Sequence, residues 1–465
     1  MYSVKKTLLL GFLLVSWATA KDPLVLLRQN RFLEAIQQWD LQLAGGGEKS
    51  LRAYKGQALA YQRLGELYQV FYEFNQELSQ KYLQIISQTN KSNKIPMYLG
   101  QVEFTKGNYE SALEKFEKLI NNSDDPQTKE LAEVYKHYTL VKLGKKTGAY
   151  NANPRIPLAV WQSLDLSGQD NLPERIPEAG ARSTRCRLAL LLRNKQSSEN
   201  DIEQTLNLLL ALSDDPETYH DKGQLTQINF YDPMLLHTIS QAFLRMAIFK
   251  NQKVKAMEDQ FPDLAAKFET DLALAELYTL SSQIGPATKL LSGNSSEKAQ
   301  LIRAKIAQFK GDKSELKSLL GSMVKSPQIG IAREAAFMYH SAGLDSKRAE
   351  KVLVELVGKS QNNLNFRRLG KVLLERRKFQ NALDAFQKGY KIQYRNDIEQ
   401  NDPEYMIDYT QAIFRSSKMR YEEVVETLYH IQKAFPGVRQ MHYFMQGIAA
   451  KDAQIYNSEN IIRKG

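Results

Sequence analysis

From Met97 to Phe116 the apolar residues fall into two short helical stripes that meet at Gly107. In the second stripe Tyr109, Ala112 and Phe116 recur at spacings of three and four, which places them on one helix face. In the first, Gly100 is a small residue inside an apolar-periodic run. Gly107 follows seven residues later, where glycine takes the left-handed conformation that ends a helix. The stretch predicts an antiparallel helix pair. Ala112 permits close approach, and Phe116 fills the gap between the partners.

The same layout returns along the chain. Phe32, Ala35 and Trp39 repeat the second-helix stripe. Tyr54, Ala58 and Tyr61 predict a first helix with Gly65 as its turn, and Val70 and Phe74 its partner. Ala304 and Gly311 restart the pattern, with Leu316 and Leu320 behind them. Ala336 and Gly343 follow, with the second-helix alanine, Ala349, one residue late. Phe366, Leu369, Gly370, Phe379, Ala382 and Phe386 form another copy, with Arg377 where the turn glycine is expected. Ala412, Tyr421, Val424, Leu428 and Pro436 make a further unit, and Tyr443 and Gly447 begin a last helix. Small residues thus stand at 304, 336, 370, 412 and 447, in near-register.

This arrangement resembles the tetratricopeptide repeat, an antiparallel helix hairpin with a period of about 34 residues. The resemblance covers residues 24–145 and 295–456. It implies an all-α helix-hairpin solenoid and a protein that binds other proteins along a concave groove. Residues 21–146 read as an N-terminal repeat block and 294–456 as a C-terminal block. Between them, 147–181 reads as an irregular insertion, rich in proline and glycine around the apolar run Leu158–Leu164. Residues 182–293 read as degenerate helical repeats, and 457–465 as a polar tail.

Met1 to Ala20 has the form of a secretory signal: Lys5 and Lys6, an apolar run from Thr7 to Trp17, then Ala18-Thr19-Ala20. Lys21 follows, so a lipoprotein anchor is not expected. The expectation is a periplasmic or secreted protein that meets membranes only through partners or an uncleaved signal. The formal charge is +11. That excess permits an acidic partner without requiring one. Nucleic acid is not an expected partner of an exported chain. The single cysteine, Cys186, lies in an apolar helical run and reads as a packing thiol.

The search for chemistry is brief. His137, His220, His237, His340, His430 and His442 show no metal-ligand spacing, and no zinc, calcium or nucleophile-elbow motif occurs. Neither a cofactor nor a metal is expected. The α-superhelical part of lytic transglycosylases is also a long exported solenoid, but the repeat pattern here runs almost to Gly465. A catalytic lysozyme-like domain is therefore not expected.

Residues 364–395 gather Arg367, Arg368, Lys371, Arg376, Arg377, Lys378, Lys388, Lys391 and Arg395 against Glu375 and Asp384. Arg367 and Lys371 share one helix face around Gly370. The resemblance implies that they line the groove with Lys305, Arg333, Phe337, His340, Tyr409 and Ile413 from neighbouring repeats. Such a basic groove would suit an acidic or extended peptide. The expected function is an exported scaffold in a secretion, pilus, polysaccharide-export or other envelope complex. The alternative is a binder of acidic envelope polymers.

Overall fold

A computed structural model describes residues 22–88, 92, 94–168, 180–214, 231–395, 403–416, 421–448 and 451. The expected signal segment, the tail and His220 lie outside the described residues. Every described element is helical. The fold is all-α and built from consecutive helix hairpins.

The chain gathers into two compact units. The first holds the described parts of 1–64, 247–365 and 389–402, and the second those of 65–246, 366–388 and 403–465. In the first unit, Pro23–Arg28 pairs with Phe32–Leu43, Thr270–Leu280 with Ile284–Leu290, Glu297–Lys310 with Lys313–Met323, and Ile329–Ser341 with Ser346–Lys359. In the second, Lys94–Thr105 pairs with Tyr109–Asn122, and Pro126–Lys142 packs on both that hairpin and Pro157–Ser167. Ala181–Arg193 then pairs with Glu199–Ser213, and Pro403–Ser416 with Tyr421–Ala434.

Local chemistry starts and stops these helices. Asp125 caps the helix that begins at Pro126, accepting from Gln127 N at 3.3 Å and Thr128 N at 3.1 Å. Ser198, Ser296, Asp312 and Asp345 cap their helices in the same way. Several of the turns share one backbone arrangement. At Gly107 the N–H bonds Phe104 O, and the next N–H, of Asn108, bonds Glu103 O. The same pair of bonds, with a left-handed residue between them, recurs at Gly144, Gly311 and Gly343. It also recurs at Asn30, Ser282 and Arg377, whose φ angles are each 59°. Arg377 therefore occupies the turn-glycine position in a conformation that strains a side chain bearing Cβ. Arg377→Gly is expected to raise unfolding stability by about 0.5–1 kcal/mol, the strain relieved less the extra freedom of the unfolded glycine. Chemical denaturation of the two proteins measures it.

Inside the hairpins, small residues meet large ones. Ala58, Ala112, Ala304, Ala336, Ala382 and Ala412 are all buried. A methyl group on Gly100 would stand 2.6 Å from the Phe116 ring, and one on Gly370 2.7 Å from the Phe386 ring. Tyr109 is half-buried and packs edge-on to Phe104, ring centroids 5.6 Å apart. The run Leu158–Leu164 lies in the helix Pro157–Ser167. Its Leu158 and Ala159 join the core of Met97, Ala112, Phe116 and Tyr135.

One expectation is corrected. Gly65 is not a turn, because one helix runs from Gly47 to Ser87 through it. Leu244 packs on the bare backbone, 2.6 Å from where a methyl would stand, and Ser240 Oγ donates to Gly65 O at 2.7 Å. Gly65 is small so that a second helix can approach. A short helix opens at Pro262. It ends at Phe268, where Glu269 turns left-handed at φ 47°, and a new helix starts at Thr270. Pro436 stands in the turn after Tyr421–Ala434, and its carbonyl accepts from Tyr68 Oη.

Candidate partner-binding cleft

The residues expected to form one basic groove are found in both units. In the first unit, Lys305 Nζ contacts Glu276 Oε1 at 2.5 Å. Burial pushes the Glu276 carboxyl up, but Lys305 and Arg63 outweigh it and hold the group below the usual range. Arg333 pairs with Glu334 at 2.9 Å and reaches Asn365 Oδ1 at 3.4 Å. His340 is buried, with Nδ1 2.9 Å from Ser346 Oγ, and Phe337 is half-buried. Lys305 and Arg333 act as polar struts between first helices of successive hairpins.

In the second unit Arg367 is 4% exposed. Its Nε donates to Asp408 Oδ2 at 2.6 Å, and its guanidinium pairs with Glu404. Lys371 Nζ lies 3.2 Å from Asp408 Oδ1. Asp408 is buried, and Lys371 and Arg367 together overcome the upward push of burial and hold its carboxyl below the usual range. Burial, with help from Arg367 and Arg368, lowers the Lys371 ammonium against the pull of Asp408. The expected one-face pair is real. It faces a neighbouring helix and is neutralised there, because an unpaired buried guanidinium costs far more than a paired one. Tyr409, on that neighbouring helix, is half-buried.

Above this ladder lies a cleft of about 210 Å³. Val70, Glu73 and Glu77 line it from the Gly47–Ser87 helix, Lys371, Leu374 and Glu375 from Asn363–Glu375, and Asp408, Gln411 and Arg415 from Pro403–Ser416. Arg415 pairs with Glu77 at 2.5 Å, and Lys81 lies over the Phe414 ring at 4.3 Å, so the two outer helices are tied together. Four carboxylates and two cations line the cleft, and of the carboxylates Asp408 is paired with Arg367 and Lys371 and Glu77 with Arg415. Sequence reasoning missed the acidic wall, because Glu73 and Glu77 come from a helix some three hundred residues earlier in the chain. The trace they leave there is Val70, Glu73 and Glu77 on one helix face.

Sequence reasoning also missed a buried charge cluster in the second unit. Arg185 is 1% exposed, with Nε 2.8 Å from Asp232 Oδ2, an ion pair to Asp165, and Nη2 3.2 Å from Gln162 Oε1. Beside it Cys186 is buried, and burial pushes its thiol up to about 12, the behaviour of a packing thiol. Among the described residues no three His, Cys, Asp or Glu side chains converge as a metal site would. Among them, too, no helix is long and apolar enough to cross a membrane.

No family model and no curated protein matches the chain. Among solved structures it is similar to yeast Tom70, at 15% identity and a TM-score of 0.36, over 94% of this chain and 96% of that one. It is also similar to the Cut9–Hcn1 hetero-tetramer of the APC/C, at 14% identity and a TM-score of 0.26, over 89% of this chain and 97% of that one. At these scores neither likeness assigns a fold or an activity to this protein; the hairpins and their turns define its fold.

Proposed function

We propose that this protein is an exported scaffold that binds partner proteins of a cell-envelope complex. In this reading the cleft between the 47–87, 363–375 and 403–416 helices receives a lysine or arginine side chain of an extended partner segment. The observation that carries it is the cleft itself, a concavity walled by three helices with more carboxylates than cations. Charge complementarity then favours a cationic segment over the acidic one that the sequence pattern suggested. The export half of the proposal is supported by the composition of residues 1–20.

The test is affinity capture from an envelope extract, with residues 21–465 as bait beside a Glu73→Lys/Glu375→Lys variant. Both glutamates are exposed, so the variant is expected to fold with an unchanged melting temperature. A defined set of captured proteins that is lost with the variant supports the cleft. The same set on both baits removes it. Substituting Arg367 or Lys371 is a poor probe, since those side chains hold the helices together.

A further inference from the structure

The floor and the mouth of the cleft differ in exposure. At the floor the Asp408 side chain is 2% exposed and that of Lys371 19%. At the mouth Glu77 is 45% exposed and Arg415 36%. These two come from opposite walls, Glu77 from the Gly47–Ser87 helix and Arg415 from Pro403–Ser416, and Arg415 Nη2 donates to Glu77 Oε1 at 2.5 Å. Both residues line the cleft, so their ion pair crosses it. Next to Arg415, the Phe414 ring carries Lys81 Nζ at 4.3 Å, and Lys81 lies one turn beyond Glu77. The bar across the mouth is thus made by side chains that reach from one wall to the other.

An exposed ion pair is weak, because water screens it and two long side chains lose rotamer freedom to make it. The Arg367–Asp408 pair beneath is different, since breaking a buried pair strands a charge away from water. The bar can therefore open while the floor stays intact. Its chemistry also shows what the mouth accepts. Glu77 already holds a guanidinium, and Glu73, one turn earlier on the same wall, adds a second carboxylate. Val70 and Leu374 supply apolar surface beside them. A guanidinium sheds water more readily than an ammonium and meets a carboxylate with a planar fork.

On the reading that the cleft takes a cationic partner segment, we propose that it is a receptor for an arginine side chain and that Arg415 is its built-in competitor. In the free protein Arg415 occupies Glu77. The partner's arginine takes Glu77 in its place, and Arg415 is released to water. A lysine offers a point charge in exchange for a fork, so it displaces Arg415 less well. Affinity for the partner is therefore set by the difference between two guanidinium contacts, the partner's and the chain's own.

Isothermal titration of the protein with the peptides Ac-Ser-Ala-Arg-Ala-Ser-NH2 and Ac-Ser-Ala-Lys-Ala-Ser-NH2 tests this. The wild type is expected to bind the arginine peptide more tightly. Arg415→Gln is expected to raise that affinity by about two- to fivefold, the change that releasing an exposed ion pair gives. In a Glu77→Gln background the same substitution is expected to bring no gain. Both side chains are exposed, so these variants should melt as the wild type does. Equal affinity for the two peptides, or no gain from Arg415→Gln, overturns the proposal. A gain that persists without Glu77 is a general effect of charge and overturns it too. Binding that Glu73→Lys/Glu375→Lys abolishes, while Arg415→Gln leaves it unchanged, keeps the cleft as the partner site and sinks this inference alone. Binding by neither the wild type nor Arg415→Gln removes the cleft as a cation site, and the cationic-segment reading falls with it.

Discussion

Arg185→Met is expected to cost about 3–5 kcal/mol of stability at neutral pH, the largest loss we expect from a single substitution in this protein. Methionine fills much of the volume of the arginine stem, so a cavity is not the main term. The loss comes from the two carboxylates left behind. Asp232 is 2% exposed and Asp165 is 11% exposed, and neither reaches enough water to recover its solvation. Asp165 keeps Arg193, at 2.9 Å, while Asp232 loses its guanidinium partner at 2.8 Å.

The triple variant Arg185→Met/Asp165→Asn/Asp232→Asn is expected to regain most of the loss, since a neutral set of similar shape is often as stable as a buried ion pair. Asparagine at 232 also keeps the acceptor that Met234 N–H uses at 2.9 Å. The pH dependence has a definite sign. Burial pushes the Asp165 carboxyl up, but Arg185 and Arg193 outweigh it and hold it below the usual range. A depressed carboxyl contributes stability above its unfolded value and loses that contribution as pH falls toward its folded one. The penalty of Arg185→Met should therefore shrink in acid, where the wild type loses the contribution of Asp165. Urea titrations of the wild type, the single and the triple variant, at neutral pH and near pH 4, measure all three claims.

The second large effect concerns the Gly100–Phe116 contact. Phe116→Ala is expected to cost about 3–5 kcal/mol, because Phe116 is fully buried and stacks on Tyr135 with centroids 5.2 Å apart. Gly100→Leu alone is expected to cost about 1–3 kcal/mol or more, since its Cβ would stand 2.6 Å from the Phe116 ring. The two costs should not add. In Gly100→Leu/Phe116→Ala the new side chain occupies the space the ring vacated, so the double variant should be more stable than the sum predicts by about 1–3 kcal/mol. A double-mutant cycle by chemical denaturation reads this coupling directly. Additive costs would mean that the two residues do not share one packing volume.

Much of the hairpin layout is legible in the sequence where several signals coincide. Gly107, Gly311 and Gly343 mark turns because glycine, helical spacing and a following cap residue agree. The hairpin Thr270–Leu290 was not matched, because Ser282 stands at its turn instead of glycine. Asn30 hides the turn between the first two helices in the same way. A left-handed turn residue is a preference of about 1 kcal/mol, which the surrounding helices override. Gly65 misled for the converse reason. Turn glycines and contact glycines look alike in a sequence, and only Leu244, far along the chain, distinguishes them.

The candidate site was legible in part. The spacing of Arg367 and Lys371 placed both on one face, and Asp408 confirms that they act together. The spacing carries no information about what that face meets. Asp408 lies forty-one residues beyond Arg367 and turns an expected open basic surface into a closed ion-pair ladder. Periodicity and small-residue placement, by themselves, determined that this chain is helical, hairpin-built and closely packed at alanine and glycine, because those rules act over three to seven residues. Tertiary structure alone decided which charges are neutralised, where the acidic cleft opens and which carboxyl groups lose their water. Those outcomes depend on residues that are distant in the chain and neighbours only after folding.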